Sequence, residues 1–350
     1  MNAPSSQRQF FSPVSFIRKL WHTHAPLTLL ALVMTGLTLF FIAGIFLDSR
    51  IITGAPAWLK PTKFGISITI YVLTLTWLLS LIEAKRPRTQ RLIAIIGWVV
   101  AGVFVVEMIA IVGQVIRGTT SHFNVATPLD AFLFSMMGTA IVILWLTNLL
   151  VAALLLRQKF ENPAFAWALR LGLIIAIIGM GEGFLMTSPT AQQLAGWEAG
   201  GPVTVAGAHS VGVPDGGPGL PVVNWSTAGG DLRIGHFVGM HALQVLPFFA
   251  FFVTRRRRLS HSQQTSLVWT AASFYLGLTL LLTWQALRAQ PIIAPDALTL
   301  GVFAGLVSAV AVTSTLILRL GSSQRMKAQT QHQRERVDHH RSEMIRDGSI

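Results

Sequence analysis

The chain has 350 residues, of which 52% are hydrophobic and only 12% are charged. Several apolar runs are long enough to cross the ~30 Å hydrocarbon core of a bilayer, which indicates a helical membrane protein and excludes the short alternating strands of a membrane β-barrel. The net charge is +13, and the cations cluster between these apolar runs. Membrane topology and attraction to anionic lipid headgroups explain this placement, so we expect no nucleic-acid partner. The absence of cysteine excludes disulfides, thiolate metal sites, iron–sulfur clusters and c-type haem attachment.

Residues 1–25 form the first segment in chain order. Aromatic and aliphatic residues there interleave with Arg18 and Lys19, which predicts a short amphipathic helix in the cytoplasmic headgroup layer. A frayed basic tail is the alternative. The apolar run that follows is too long for the hydrophobic region of a cleaved signal peptide and has no clear cleavage site, so we interpret it as a retained span.

Eight membrane spans are predicted from the apolar runs. A span needs about 20 apolar residues in a helix, because each residue rises about 1.5 Å. The predicted spans are 26–47, 64–84, 92–116, 130–156, 165–187, 232–254, 267–287 and 297–320. The predicted fold class is therefore all-α, a polytopic transmembrane helix bundle of about eight spans that occupies residues 26–320.

The distribution of basic residues predicts the orientation of these spans. With the N-terminus inside, 21 of the 27 lysines and arginines fall in inner segments. The six in outer segments are Arg50, Lys60, Lys63, Arg117, Arg233 and Arg288. This asymmetry is the positive-inside pattern. It predicts cytoplasmic termini and a multi-pass protein of the bacterial inner membrane.

Two long polar segments lie outside the spans. The loop 188–230 falls on the outer side, contains no lysine or arginine and is rich in glycine and proline. Loops of this length are usually functional or disordered, and Trp197 and Trp225 favour an ordered cap over the outer helix ends. The tail 321–350 is polar and mixed in charge, which is typical of a solvated cytoplasmic helix or a disordered segment.

The run GDLRIGHFVGMHALQVLP, residues 230–247, is unusually polar for a membrane span. At 100° per residue, one sector of about 140° holds its polar side chains, Arg233, His236, His241 and Gln244. The opposite side holds Gly235, Gly239 and Ala242, small residues that allow another helix to approach closely. This helix is therefore predicted to pack on one side and to line a polar site on the other.

Further ionisable residues lie at similar depth on other spans. At about 1.5 Å per residue, Glu107 and His241 lie roughly 14 Å below the outer ends of their spans, and Glu182 and His236 roughly 6 to 8 Å. A buried ionisable group costs at least ~2.5 kcal/mol in a bilayer, so groups at matched depth call for pairing, water or a ligand. The pattern predicts an outward-facing cavity lined by the second, third, fifth and sixth spans. A purely structural tie between Glu107 and His241 is the alternative.

The candidate site residues fall into three roles. Glu107 and His241 are the candidate catalytic pair at the cavity floor. Candidate metal ligands are His241, Glu107, His236 and Glu182, and a cofactor such as haem b would contact His236, His241, Met240 and Phe237. Candidate substrate or anion ligands are Arg233, Lys60, Lys63, Arg117, His122, Asn124, Gln114 and Gln244.

Three functions are consistent with this pattern. A redox enzyme would use a transition metal ion or haem b held by imidazole and carboxylate. A proton-coupled transporter would relay protons through Glu107, Glu182 and His241, although few polar groups continue the path inward. In a structural or assembly protein the polar residues would only tie helices together. The expected partners are the lipid bilayer and a small molecule reached from the outer side.

Three stretches carry a resemblance to known sequences. WLKPTKF, RGTTSHFN and GDLRIGHFVGMHALQVLP resemble patterns in a family of uncharacterised bacterial multi-span inner-membrane proteins. The similarity covers the outer halves of the second, third and sixth predicted spans. It implies the same class of membrane protein but no activity, so no residue role is transferred from it.

Overall fold

The computed structural model describes residues 13–320. Eight helical segments within this range are long and apolar enough to cross a membrane, which confirms the predicted all-α polytopic class. Sheet in the same range is confined to two short antiparallel pairs, β1 (Ile51–Ile52) with β2 (Ala55–Pro56) and β3 (Ser210–Val211) with β4 (Gly230–Asp231). The first residues of the amphipathic segment and the whole tail 321–350 lie outside the described range.

The helices follow the predicted order. They are α1 (Pro13–Thr23), α2 (Ala25–Leu47), α3 (Leu59–Ser80), α4 (Pro87–Ile116), α5 (Pro128–Leu156), α6 (Pro163–Gly181), α7 (Gly183–Thr187), α8 (Ala191–Glu198), α9 (Leu232–Thr254), α10 (His261–Leu287) and α11 (Ala297–Leu320). Helices α4, α5 and α6 each begin at a proline. The fixed φ of proline suits the first helical turn, where its missing N–H has no partner to lose.

Two spans differ from their predicted limits at candidate site residues. Helix α3 begins at Leu59 instead of residue 64, because Pro61 is tolerated in a first turn. The predicted fifth span is interrupted at Glu182, between α6 and α7. Glycines flank Glu182 on both sides, and glycine disfavours the helix interior by about 1 kcal/mol relative to alanine.

The outer loop 188–230 has structure of its own. Helix α8 begins with a capping box, in which the N–H of Gln193 donates to Oγ1 of Thr190 at 3.2 Å and the Thr190 N–H donates back to Oε1 of Gln193 at 3.0 Å. Residues 204–206 pair with 123–125, before α5, through backbone hydrogen bonds of 2.8 and 2.9 Å. Strands β3 and β4 then join the loop to the start of α9.

The described residues divide into two compact units. The first holds residues 13–158, Ile177–Met240 and Leu282–Pro295. Within it, α2 packs against α3 and α4, and α4 packs against α5. One of its apolar clusters consists of Phe123, Met186, Leu232 and Ala286, so the outer loop, α7 and the start of α9 share a buried contact.

The second unit holds Lys159–Ala176, His241–Leu281 and residues 296–320. Its core is built mainly from small side chains, Ala164, Ala168, Ala242, Ala250 and Ala272, with Leu246 and Val268. The Nε2–H of Gln263 donates to the carbonyl of Ile317 at 3.0 Å and ties α10 to α11.

The small face of α9 makes the close contacts predicted for it. In the first unit, a Cβ added to Gly179 of α6 would lie 2.5 Å from the carbonyl carbon of Gly239. In the second, a Cβ added to Gly172 would lie 2.9 Å from the carbonyl oxygen of Ala242. Backbone therefore meets backbone along α6 and α9, as small residues at helix crossings allow.

Candidate functional site

Charged and imidazole side chains gather at the predicted outer end of the first unit. Lys60 and Lys63 lie in the first two turns of α3. Lys60 is within electrostatic range of two cations, Lys63 and Arg233, and of two acids, Glu107 and Asp215. His122 interacts with Lys60 and His209, and His209 with His236. We call Lys60, Lys63, His122, His209, Asp215, Arg233 and His236 the outer cluster.

A carboxylate fixes the His209 imidazole. The Nδ1–H of His209 donates to Oδ2 of Asp215 at 2.7 Å, and the same carboxylate accepts the backbone N–H groups of His209 and Ser210 at 3.0 and 2.8 Å. The Phe123 ring meets the imidazole edge to face, with centroids 4.7 Å apart. Nε2 is therefore the nitrogen left for a ligand. Neither His209 nor Asp215 was among the candidate site residues predicted from the sequence.

The loop imidazoles are held neutral. Burial lowers the pKa of His122 well below its ordinary value of 6.5, and the Lys60 cation adds to this. Burial also lowers the pKa of His209, and the Arg233 cation lowers it further. The hydrogen bond to Asp215 raises this pKa but does not outweigh the burial. Burial alone would raise the pKa of Asp215, but hydrogen bonds from His209 and Ser210 outweigh it and hold the value below the ordinary range.

We expect the free energy of unfolding to decrease as the pH falls below about 6.5. Folded His122 and His209 resist protonation, whereas the unfolded chain takes up both protons. Each thus destabilises the fold by up to about 1.4 kcal/mol per pH unit. At lower pH Asp215 acts in the same direction, because its lowered pKa stabilises the fold only while the carboxylate is ionised.

Thermal unfolding of the detergent-solubilised protein between roughly pH 8 and pH 5 measures this dependence. His122→Asn should flatten the profile, and the exposed His22, changed to Asn, serves as the matched control. A profile that is equally steep in both variants would contradict the role of the buried imidazole.

His236 is anchored in the same way as His209. Its Nδ1 lies 2.6 Å from the carbonyl oxygen of Gly179. A carbonyl only accepts, so Nδ1 carries the proton and Nε2 keeps its lone pair. Gly183 leaves room beside the ring, since a Cβ there would lie 3.4 Å from Cε1. The ring of Phe237 lies 5.4 Å away.

Glu182 sits at the interruption between α6 and α7 and is buried. A Cβ added to Gly235 would lie 2.7 Å from Oε2 of Glu182 and would collide with Oγ1 of Thr283. The carboxylate therefore faces the first turn of α9 beside a hydroxyl of α10. Glu182 thus meets the small face of α9, at Gly235, and not the polar sector that was predicted to line the site.

Arg233 is occupied by its neighbour Asp231. Its Nε donates to Oδ1 at 2.9 Å and its Nη2 to Oδ2 at 2.5 Å, and Nη2 also donates to the carbonyl of Asn224 at 2.6 Å. The Asp231 side chain is 0% exposed and accepts the backbone N–H of Ser226 at 2.8 Å. This pair neutralises the guanidinium and joins the outer loop to α9.

Three predicted anion ligands have other partners: Gln114 and Arg117 bind Asp130, and Asn124 binds the loop between α4 and α5. Gln114 donates its Nε2–H to Oδ1 of Asp130 at 2.8 Å, and Arg117 donates to the same oxygen at 2.6 Å. Asn124 donates to Oγ1 of Thr119 at 3.0 Å. These contacts tie the end of α4 to the start of α5, which is a structural task.

The predicted floor of the cavity is divided between the two units. Glu107 lies in the first unit and is 1% exposed, and neither carboxylate oxygen has a hydrogen-bond partner among residues 13–320. His241 and Gln244 lie in the second unit, where His241 is exposed. Met240 is half-buried at the end of a first-unit segment. The Glu107–His241 pair therefore stays a prediction.

Lys60 is a cation without a direct counterion. No carboxylate among the described residues forms a salt bridge with it, while Arg233 has Asp231 and Asp215 is taken by His209. Lys63 donates to the carbonyl of Val223 at 3.0 Å. Lys60 and His122 are both half-buried.

The cluster does not form a site of three or more metal ligands. Within residues 13–320, no three His, Asp or Glu side chains are close enough together to hold a metal ion. The set His241, Glu107, His236 and Glu182 therefore gains no support as a metal centre. The arrangement offers instead two lysines, neither of them in a salt bridge with a described residue, beside three imidazoles. No protein-family model, curated protein or solved structure matches this chain, so the outer cluster is interpreted from its own chemistry.

Proposed function

We propose that this membrane protein binds a small anionic ligand at the outer cluster, reached from the outer side of the bacterial inner membrane. The observation that carries the proposal is Lys60, a half-buried cation beside Lys63 and Arg233 and without a salt bridge to a described residue. A desolvated charge is costly unless it is paired. Glu107 and Asp215 act on Lys60 only at longer range than a salt bridge, and a bound anion would supply a direct partner.

The imidazoles narrow the chemical class of the ligand. Nε2 of His209 and of His236 keeps a lone pair, because in each ring Nδ1 donates its proton to Asp215 or to Gly179. A lone pair accepts a hydrogen bond and does not attract a bare oxyanion. The ligand class that fits is an anion that also carries an O–H or N–H donor, such as a hydroxy acid or a protonated phosphate.

Anion binding should stabilise the purified protein against unfolding. Lys60→Met should weaken the binding by roughly tenfold to a hundredfold, because a charge-assisted hydrogen bond contributes about 1.5–3 kcal/mol. Thermal unfolding at constant ionic strength measures it, with two pairs of probes: phosphate against sulfate, and glycolate against acetate. Phosphate and glycolate carry the O–H and should bind more tightly.

Lys85→Met is the matched control for Lys60→Met. Lys85 is 81% exposed, pairs with Glu83 and lies in a predicted inner loop, so its loss removes the same charge far from the cluster in sequence. Equal weakening in the two variants, or no stabilisation by any of the four anions, would refute the proposal.

A second candidate is a haem or a single metal ion bound through imidazole. It is favoured by the anchored Nδ1 atoms of His209 and His236, since ligating histidines commonly donate the other nitrogen to a carboxylate or carbonyl. The haem carboxylates would then be the anion beside Lys60 and Lys63. An absorption spectrum with elemental metal analysis tests this candidate, and a colourless, metal-free and well-folded protein would eliminate it.

A further inference from the structure

The second unit carries an open groove of about 580 Å³ between α10 and α11. It begins at the N-terminal end of α10, which the charge pattern places on the inner side of the membrane. Its lining includes His261, Ser262, Ser266 and Trp269 of α10, and Thr313 and Ile317 of α11. The groove is separate from the outer cluster, which belongs entirely to the first unit.

Hydrogen bonds hold the walls of the groove in place. Ser260 caps α10 by accepting the N–H of Gln263 at 3.2 Å, and Oε1 of Gln263 accepts the N–H of Ser260 at 3.1 Å. The Nε2–H of the same glutamine donates to the carbonyl of Ile317 at 3.0 Å. Because one side chain caps α10 and holds α11, the groove is formed before any ligand binds.

The lining changes character along the groove. Hydroxyl and imidazole groups lie at the helix end, and Trp269 follows eight residues after His261, about 12 Å further along the helix axis. The indole is 42% exposed. Tryptophan is enriched at the level of lipid headgroups, where one part of the ring is apolar and the other wet. A ligand with a polar head group and an apolar tail matches this change from polar to apolar lining along the groove.

The charge next to the groove is strongly positive. Arg255, Arg256, Arg257 and Arg258 are all exposed, and none forms a salt bridge with a described residue. Arg258 precedes His261 by three residues, so their Cα atoms are at most about 11 Å apart. The acid nearest in sequence to the lining is Glu161, two residues before Pro163. An anionic head is therefore favoured over a zwitterionic one.

We propose that the groove binds an anionic phospholipid of the inner leaflet, with its phosphate near His261 and the arginine run and its glycerol region along the hydroxyls of Ser262 and Ser266. One acyl chain continues past Trp269 and Ile317. The inner leaflet carries anionic lipids, and clustered arginines at its surface attract them.

Native mass spectrometry of the delipidated full chain measures lipid binding directly. The wild type should bind phosphatidylglycerol at least roughly tenfold more tightly than phosphatidylcholine, the effect of two or more arginines. Ser266→Trp fills the groove and should abolish this preference. Ser308→Trp is the matched control, because Ser308 is exposed on α11 and does not line the groove.

A second variant keeps the test decisive if Ser266→Trp fails to fold. Arg256→Gln with Arg257→Gln leaves the groove intact and should reduce the preference for phosphatidylglycerol by tenfold or more. Equal binding of the two lipids, or an unchanged preference in both variants, overturns the proposal. So does equal competition by soluble glycerol 1-phosphate, which would indicate a small-anion site, or a dimer that Ser266→Trp dissociates.

Discussion

Asp231→Ala is expected to destabilise the protein by about 3–5 kcal/mol in the free energy of unfolding. The substitution leaves the Arg233 guanidinium half-buried without its carboxylate and also strands the N–H of Ser226. Removal of one member of a buried ion pair costs far more than the pair contributes, because the remaining charge has lost its solvent and its partner. The outer loop should detach from the start of α9 as a result.

Thermal unfolding in detergent measures this change, with Glu83→Ala as the control. Glu83 and Lys85 also form an ion pair, but their side chains are 60% and 81% exposed. Exposed pairs contribute little, because water screens both charges. We therefore expect no measurable change from the control, and similar destabilisation in the two variants would contradict the buried character of Asp231.

Gly179→Leu is expected to reduce stability by about 3 kcal/mol or more and to lower the yield of folded protein sharply. A Cβ at this position would lie 2.5 to 2.6 Å from three backbone atoms of Gly239 and Met240. Backbone cannot rotate away as a side chain can, so α6 and α9 would have to separate. The separation would also break the hydrogen bond from His236 to the Gly179 carbonyl.

Gly138→Leu provides the matched comparison for this variant. Gly138 is also a helical glycine in a predicted span, yet a Cβ there would meet no atom within 4 Å. Size-exclusion profiles and thermal unfolding of the two variants measure the difference. If Gly179→Leu is as stable as Gly138→Leu, the close crossing of α6 and α9 is wrong.

The fold class and the packing face of α9 were predictable because both depend on periodicity. Long apolar runs define spans, and a helical wheel assigns Gly235, Gly239 and Ala242 to one face regardless of the partner. Their close contacts were therefore foreseen. The start of α3 was not predicted, because residues 59–63 have low hydropathy. The helix extends through them because a proline such as Pro61 is tolerated in the first turn.

The candidate site was predictable only in part. A helical wheel gives the direction of each side chain around its helix, but it does not identify the residues of other segments that the side chain contacts. Arg233 lies at the start of α9, as the predicted span limits require, but its neutralisation by Asp231 depends on the turn that β4 makes. Gln114 and Arg117 donate hydrogen bonds to Asp130 of the following helix, a contact that a helical wheel does not predict. The contact between His209 and Asp215 lies in an irregular loop. Such a loop has no sequence periodicity from which contacting residues could be predicted.

The hydrogen bonds of the outer loop also set the order in which the protein can be built. Residues 204–206 pair with 123–125, which the ribosome has already synthesised, whereas Ser210 and Val211 pair with Gly230 and Asp231, which emerge later. The first part of the loop can thus dock as soon as it has been synthesised, and the second part must wait for α9. The outer cluster is completed only after α9 has been synthesised, because Arg233 and His236 lie in that helix, so a nascent chain with five spans lacks two members of the cluster.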